Sequence, residues 1–542
     1  MALPLGRPSS PYAPAAVAAV LAYGSVFAWA IGNTSFDFWG GLIVAPVLIV
    51  ISLPFLQMAA RSEADPRIAR LYVAALVLKL IASLGRYYMS FVLYDGSADA
   101  ARYAAQGAQI ADQFRAGDFT VDLGGPLQGT GFLMLLTGVV YALTGPTLIG
   151  SYLVFSWLGF WGLFFFFRAF RVALPDGNSW RYGCLVFLLP SLLFWPSGIG
   201  KDTWMLLTLG VASYGVALLL ARRRGAYIFL TLGLAGTAVV RPHVSVLVVA
   251  GLGFAYLLRR RPDKLSALGP IRSIISVLVL LVAGFVMLKL MGKFLGTDSF
   301  SSEGVNQTLN NTQHRTTGGG STYEAQPVTS PIGLPMAIIT VLFRPFPFEA
   351  HNFQSLIASA EGTVLLGMFV VGWRRLRGVP RALRRSPYVA YCLVYTILFC
   401  FAFSSFANFG ILTRERVQVF PMALVFLALP LAFAGERRVR RKDRKADKPP
   451  EKATAFDRPR PVLMRRREVF IESAAPPAAR HPRPVHPAHP AHPAHPAQPA
   501  QPAQPAQPSA QPVQPMQSSR PAGPPGLLPS PRKSPGTERN ER

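Results

Sequence analysis

Two carboxylates, Asp95 and Asp99, stand four residues apart in the stretch YDGSADAARYAAQGAQIADQFRAGDFTVD, Tyr94 to Asp122. On a helix that spacing puts them on one face. A helix lying on the bilayer with carboxylates at its start can hold a charged catalytic group at the membrane surface. The stretch is too polar to cross a membrane and lies between long apolar segments. Read as a helix from about Ser97, it aligns Tyr103, Gly107, Ile110 and Phe114 on a second stripe, at the spacing of an amphipathic helix lying on the bilayer. Asp and Ser at a helix start also cap free N–H groups and complement the helix dipole, so a purely structural role for either Asp stays open.

A second set of chemical groups falls in four turns between apolar segments. Lys201 stands in WPSGIGKD, Arg241 and His243 in RPH, Arg344 in FRPFPFEAH, and Arg414 with Arg416 in NFGILTRER; Asp202, Glu349 and Glu415 accompany them. Topology places these turns outside, where basic residues are disfavoured, so an external anion is implied. Arg and Lys bind phosphate through charge-assisted hydrogen bonds, which points to a lipid phosphate or pyrophosphate. Taken singly, each cation has a structural reading: Lys201 paired with Asp202, Arg344 with Glu349, and Arg414 or Arg416 with Glu415. The case rests on repetition across the turns.

The elements that must position these groups are apolar helices. The chain has 542 residues, 51% of them hydrophobic, and a mean hydropathy of +0.33. Its apolar residues come in runs near the 17–25 residues of a membrane-spanning helix. The expected fold is an all-α polytopic membrane protein of roughly eleven to thirteen crossings, some re-entrant or half-length. Candidate spans are Ala13 to Ile31, Gly40 to Ala59, Leu71 to Phe91, Phe132 to Leu143, Leu148 to Phe167, Leu185 to Trp195, Trp204 to Ala221, Tyr227 to Val240, Val244 to Leu258, Ile274 to Leu290, Pro331 to Phe343, Leu356 to Trp373, Tyr388 to Phe406 and Val417 to Phe433. Lys79 and Arg86 lie within the third, and ionisable residues at membrane depth are functional candidates. External loops are expected at about 92–127 and 292–330. If both segments between Phe132 and Phe167 crossed, the sidedness of every later basic cluster would invert, so one of them is expected not to cross.

The net charge is +28, from 54 Lys and Arg against 26 Asp and Glu. The basic residues cluster between apolar runs and in the tail, which implies cytoplasmic loops and contact with anionic lipids rather than nucleic acid. Cys184, Cys392 and Cys400 lie in apolar segments without metal-ligand spacing, as small buried hydrophobes do. Residues 1–435 form the expected membrane domain. From 436 a basic run leads into HPA and QPA repeats, with His486, His489, His492 and His495 at period three. Such a tail, 436–542, is expected to be disordered and cytoplasmic, and could recruit other proteins.

The acidic loop YDGSADAARY, followed by LTGVVYALTGPTLIGSYLVFSWLGFWGLFFFFRAF, resembles the GT-C superfamily of membrane glycosyltransferases, which includes protein O-mannosyltransferases and lipid A aminoarabinose transferases. The likeness covers roughly the first 260 residues. Many members have adjacent acidic residues in this loop, whereas GSA separates Asp95 from Asp99 here. The resemblance implies sugar transfer from a polyprenyl-phosphate carrier to a cell-envelope acceptor, at the outer face of a bacterial plasma membrane. Asp95 or Asp99 would serve as base or metal ligand, and the external cations would bind the phosphate. RPFPFEA with NFGILTRER also resembles bacterial membrane proteins of surface-polysaccharide assembly. The competing functions are an O-antigen-type polymerase or ligase, a lipid or solute transporter, and a non-catalytic scaffold.

Overall fold

The computed structural model describes residues 13–96, 99–258, 302–318, 321–324 and 331–431, with Leu278, Val282 and Phe285 as isolated helical positions. All belong to the first of two units, Met1–Ala453. The expected span Ile274 to Leu290 and the tail from 436 lie, but for those three positions, outside the described residues.

Among the described residues the fold is all-helical, with one isolated bridge, Thr322 to Asn408, and no strand. The helices are α1 (Ala13–Asn33), α2 (Phe36–Arg61), α3 (Arg67–Tyr88), α4 (Asp99–Arg115), α5 (Phe132–Thr144), α6 (Leu148–Ala173), α7 (Ser179–Leu188), α8 (Pro190–Phe194), α9 (Lys201–Leu220), α10 (Ala226–Val240), α11 (Pro242–Leu257), α12 (Ser302–Thr316), α13 (Leu334–Phe343), α14 (Phe353–Val371), α15 (Val379–Arg385), α16 (Pro387–Phe403) and α17 (Phe409–Glu415). Among the described residues six helical segments are long and apolar enough to cross a membrane, as an α-helical membrane protein requires.

Small residues let the central helices approach closely. Gly162 of α6 abuts the Leu206 backbone of α9, and Gly233 of α10 abuts Ala212 of α9. Matching positions give the directions. Ser52 of α2 meets Trp157 of α6, and Phe55 meets Trp161, so these helices run parallel. Gly198, just before α9, abuts Tyr152 of α6, while Phe165 stacks near Tyr214; α6 and α9 are also parallel. Between them α7 and α8 return in the opposite sense. The starts of α2, α6 and α9 therefore share one end of the bundle. The opposite end gathers basic residues: Arg168 and Arg171 pair with Glu63 at 3.4 and 2.8 Å, and Arg375 donates to the Leu429 carbonyl.

Helices α4 and α5 lie side by side and parallel, with Gly107 against Thr137 and Gly138, and Arg115 donating to the Tyr141 carbonyl. The stripe foreseen on α4 is the packed face: Tyr103, Gly107 and Ile110 are buried, and Phe114 is half-buried. The ring of Phe132, at the start of α5, lies 4.8 Å from Trp204 in the first turn of α9. Gly145, just past its end, abuts Phe36 at the start of α2. Both ends of α5 thus sit at the same end of the bundle. Leu127–Thr144 is one of the six segments of spanning length, but its backbone leaves helical geometry at Gln128 and Gly129; the 13 regular residues of α5 are about 20 Å long, short of the roughly 30 Å hydrocarbon core. Helices α4 and α5 form a platform across the bundle end, between Phe36 and Trp204.

The last expected span, Val417 to Phe433, is not a regular α-helix. Arg416–Gln418 and Leu424–Ala428 are 3₁₀ turns flanking Phe420–Ala423. Every residue from Val417 to Leu429 is buried. Pro421 has no N–H to continue an α-helix, and 3₁₀ geometry rises about 2 Å per residue against 1.5 Å. The short segment therefore threads the bundle interior from the platform end to the basic end, where the Ala428 carbonyl accepts from Asn178 N–H at 3.1 Å.

Candidate functional site

A recess opens at the platform end, walled by Asp99, Ala100 and Tyr103 of α4, Arg86 of α3, the Trp195–Thr203 turn, and Arg414 of α17. It is small, with about 40 Å³ of room for water-sized groups, and opens to solvent. Each wall has a local cause. Asp95 and Gly96 adopt left-handed backbone, φ 46° and 67°, a conformation that Gly accepts freely and Asp tolerates. This turn redirects the chain into α4, with Asp99 as its first residue. Asn408 caps α17 by accepting from Ile411 N–H at 3.1 Å, which fixes the seven-residue helix that ends in Arg414 and Glu415.

Beneath the recess lies a buried ionic network. Asp202 accepts from Arg414 at 3.1 Å and stands 3.8 Å from Arg241. Arg241 grips Glu415 with two N–H groups, one of them at 2.6 Å, and Gln418 donates to the same carboxylate at 2.6 Å. Asp202 raises the Arg414 pKa further, so that guanidinium stays charged. Burial pushes the Tyr103 phenol up to about 12, so it remains a neutral donor in ordinary conditions. Lys201 and Arg86 differ from the other cations. Neither makes an ion pair among the described residues. Arg86 instead lies over Trp195, its guanidinium carbon 5.0 Å from the ring centre.

Of the residues expected at a site, Asp99, Lys201, Asp202 and Arg414 line the recess, and Arg241 lies directly under it. Asp95 is exposed in the preceding turn and does not line it. His243 lies in the first turn of α11 with its ring centre 6.3 Å from that of Phe403. Arg344 and Arg416 belong to a separate cluster. Arg344 is held by Glu349 and covered by the stacked rings of Tyr323 and Phe409. Burial alone would raise the Glu349 carboxyl, but hydrogen bonds from Arg344 and from Phe346 N–H, with the Arg344 charge, hold it below the usual range. Arg416 is fully buried, donates to the Arg344 carbonyl at 2.9 Å and faces Glu361 at 3.8 Å.

Sequence reasoning did not assign Tyr103 to a site, and it named Arg86 only as an ionisable candidate at membrane depth, with no partner or role. Their signal was position: one on the stripe of α4, the other one turn from the end of a span. Among the described residues no group of three or more His, Cys, Asp and Glu side chains forms a metal-binding cluster. The Asp202 oxygens face Arg414 and Arg241, so the donor set of the recess does not fit a resident divalent ion. Comparisons with protein-family models, curated proteins and solved structures find no match to this chain.

Proposed function

We propose that this chain is a membrane glycosyltransferase that moves a sugar from a polyprenyl-phosphate carrier to a hydroxyl of a cell-envelope acceptor. The observation that carries the reading is the recess itself, where an exposed carboxylate, Asp99, faces two cations without carboxylate partners, Arg86 and Lys201. In the proposed step the acceptor oxygen attacks the anomeric carbon while its proton passes to Asp99. The bond from that carbon to the phosphate oxygen breaks, and the phosphate leaves with the electron pair. Lys201 and Arg86 meet the negative charge that develops on it. Arg414 and Arg241, committed to Asp202 and Glu415, hold the floor of the recess.

In this reading the basic end faces the cytoplasm of a bacterial cell, the platform lies at the outer leaflet, and the chain crosses eleven to thirteen times with its tail inside. The reading is tested in proteoliposomes with a polyprenyl-phosphate sugar donor. Asp99→Asn should lower turnover about 10²–10⁴-fold with little loss of donor binding, whereas Lys201→Met should weaken both. Full activity in Asp99→Asn overturns the assignment of the base. Transfer from lipid pyrophosphate alone would replace this function with the polymerase reading, and lipid movement without transfer would replace it with transport.

A further inference from the structure

Helix α8 is five residues long, Pro190–Phe194, with Ser191 and Leu192 buried in the bundle and Phe194 half-buried. So short a helix leaves most of its backbone groups without internal partners. Proline flanks it on both sides of the problem: Pro190 opens it, and Pro196 lacks the N–H that the Leu192 carbonyl would otherwise accept. Two ionisable side chains from other spans supply what is missing. At the start, Glu361 of α14 accepts from Ser191 N–H at 3.0 Å and from the Ser191 hydroxyl. At the end, Lys79 of α3 donates to the Leu192 and Leu193 carbonyls at 2.8 and 3.0 Å. Lys79 is fully buried and makes no ion pair among the described residues. A carboxylate at the N-terminal end and an amine at the C-terminal end is also the arrangement that complements the local peptide dipoles.

The residues that follow α8 without a break, Trp195 to Lys201, form one wall of the recess. Gly159 of α6 packs against both the Pro196 carbonyl and the Lys79 side chain, so the clamp and the wall share one contact. We propose that Lys79 and Glu361 are positioning residues of the recess: by capping the two ends of α8 they set where Trp195 and Lys201 stand. The placement of the wall is a claim about geometry alone. Its consequence for turnover rests on the glycosyltransferase reading.

The experiment uses the full chain in lipid nanodiscs with its three native cysteines replaced. One reporter is Lys201→Cys on the clamped wall, and the other is Asp99→Cys on the opposite wall; both are alkylated with a membrane-impermeant maleimide. Lys79→Met should change the labelling rate at position 201 about three- to tenfold, the population shift expected for losing one cap, and leave position 99 unchanged. Glu361→Gln should act in the same direction, and Lys79→Arg, which keeps the donors, should restore the native rate. An unchanged rate at 201 in both Lys79→Met and Glu361→Gln overturns the proposal. Equal changes at 99 and 201 also overturn it, because they report general loosening. With the native recess residues restored, donor transfer should show Lys79→Met acting on kcat more than on KM. Since labelling needs no substrate, a failure of the sugar-transfer reading leaves the labelling result intact and distinguishable.

Discussion

Replacing Glu415 with glutamine strands a buried guanidinium, and the cost follows from the network around it. The Arg241 and Glu415 side chains are 13% and 8% exposed, so water can replace little of what is lost. The carboxylate accepts two hydrogen bonds from Arg241 and one from Gln418. Removing one partner of a buried pair typically costs about 3–5 kcal/mol, because the remaining charge stays buried. Asp202 remains 3.8 Å from Arg241 but is already shared with Arg414, so the expected loss is near the lower end, about 3 kcal/mol. The assay is equilibrium unfolding in mixed micelles followed by tryptophan fluorescence. The solvent-screened pair Arg67 with Asp65 supplies the control: Asp65→Asn should cost much less than Glu415→Gln. Converting both Arg241 and Glu415 to Met should recover most of the loss, since no charge is then stranded. A Glu415→Gln loss no larger than the control would refute the inference that this pair holds the recess floor.

Three further outcomes follow from the same geometry. Gly107→Val places a Cβ 2.9 Å from that of Thr137 and 3.2 Å from the Gly138 nitrogen; it should cost about 1–3 kcal/mol and speed amide exchange in α4 while leaving α9 protected. The Glu349 carboxyl is held below its usual range, so its contribution to stability is present above its unfolded pKa and lost as pH falls through the folded one; Glu349→Gln should therefore be less stable than the parent at neutral pH and converge with it in acid. In intact cells, Asn310→Cys and Lys201→Cys should label from outside and Arg223→Cys only after permeabilisation; the reverse would invert the proposed orientation.

Helical class and the larger apolar segments were legible because apolar run length is a local property. The platform was not, because α5 is apolar enough to resemble a span, and only its contacts with Trp204 and Phe36 show both ends on one side. Asp99, Lys201, Asp202 and Arg414 could be named from residue type and turn position. Which cations were already committed could not. Arg344 and Glu349 are five residues apart and do pair, as local spacing allows. Glu415 ignores its neighbours Arg414 and Arg416 and takes Arg241, 174 positions away. Successive residues on a helix point in different directions, so adjacency is a poor guide to ion pairing. Val417 to Leu429 carries the composition of a span, but its 3₁₀ geometry depends on Pro421 and on complete enclosure by other helices.

That enclosed segment bears on how the protein is made. It is the last described part of the chain to leave the ribosome, yet it fills the interior, with Tyr182 of α7 donating to the Pro421 carbonyl across 239 positions of sequence. Until it is synthesised, the spans already inserted surround a gap lined by groups that meet it, among them the Tyr182 hydroxyl and the Asn178 N–H. In order of synthesis, α7 waits in the bilayer for a partner that arrives late. A nascent chain stopped before Arg416 would carry its spans but no plug, and would present that gap to membrane chaperones and proteases as an unfinished product.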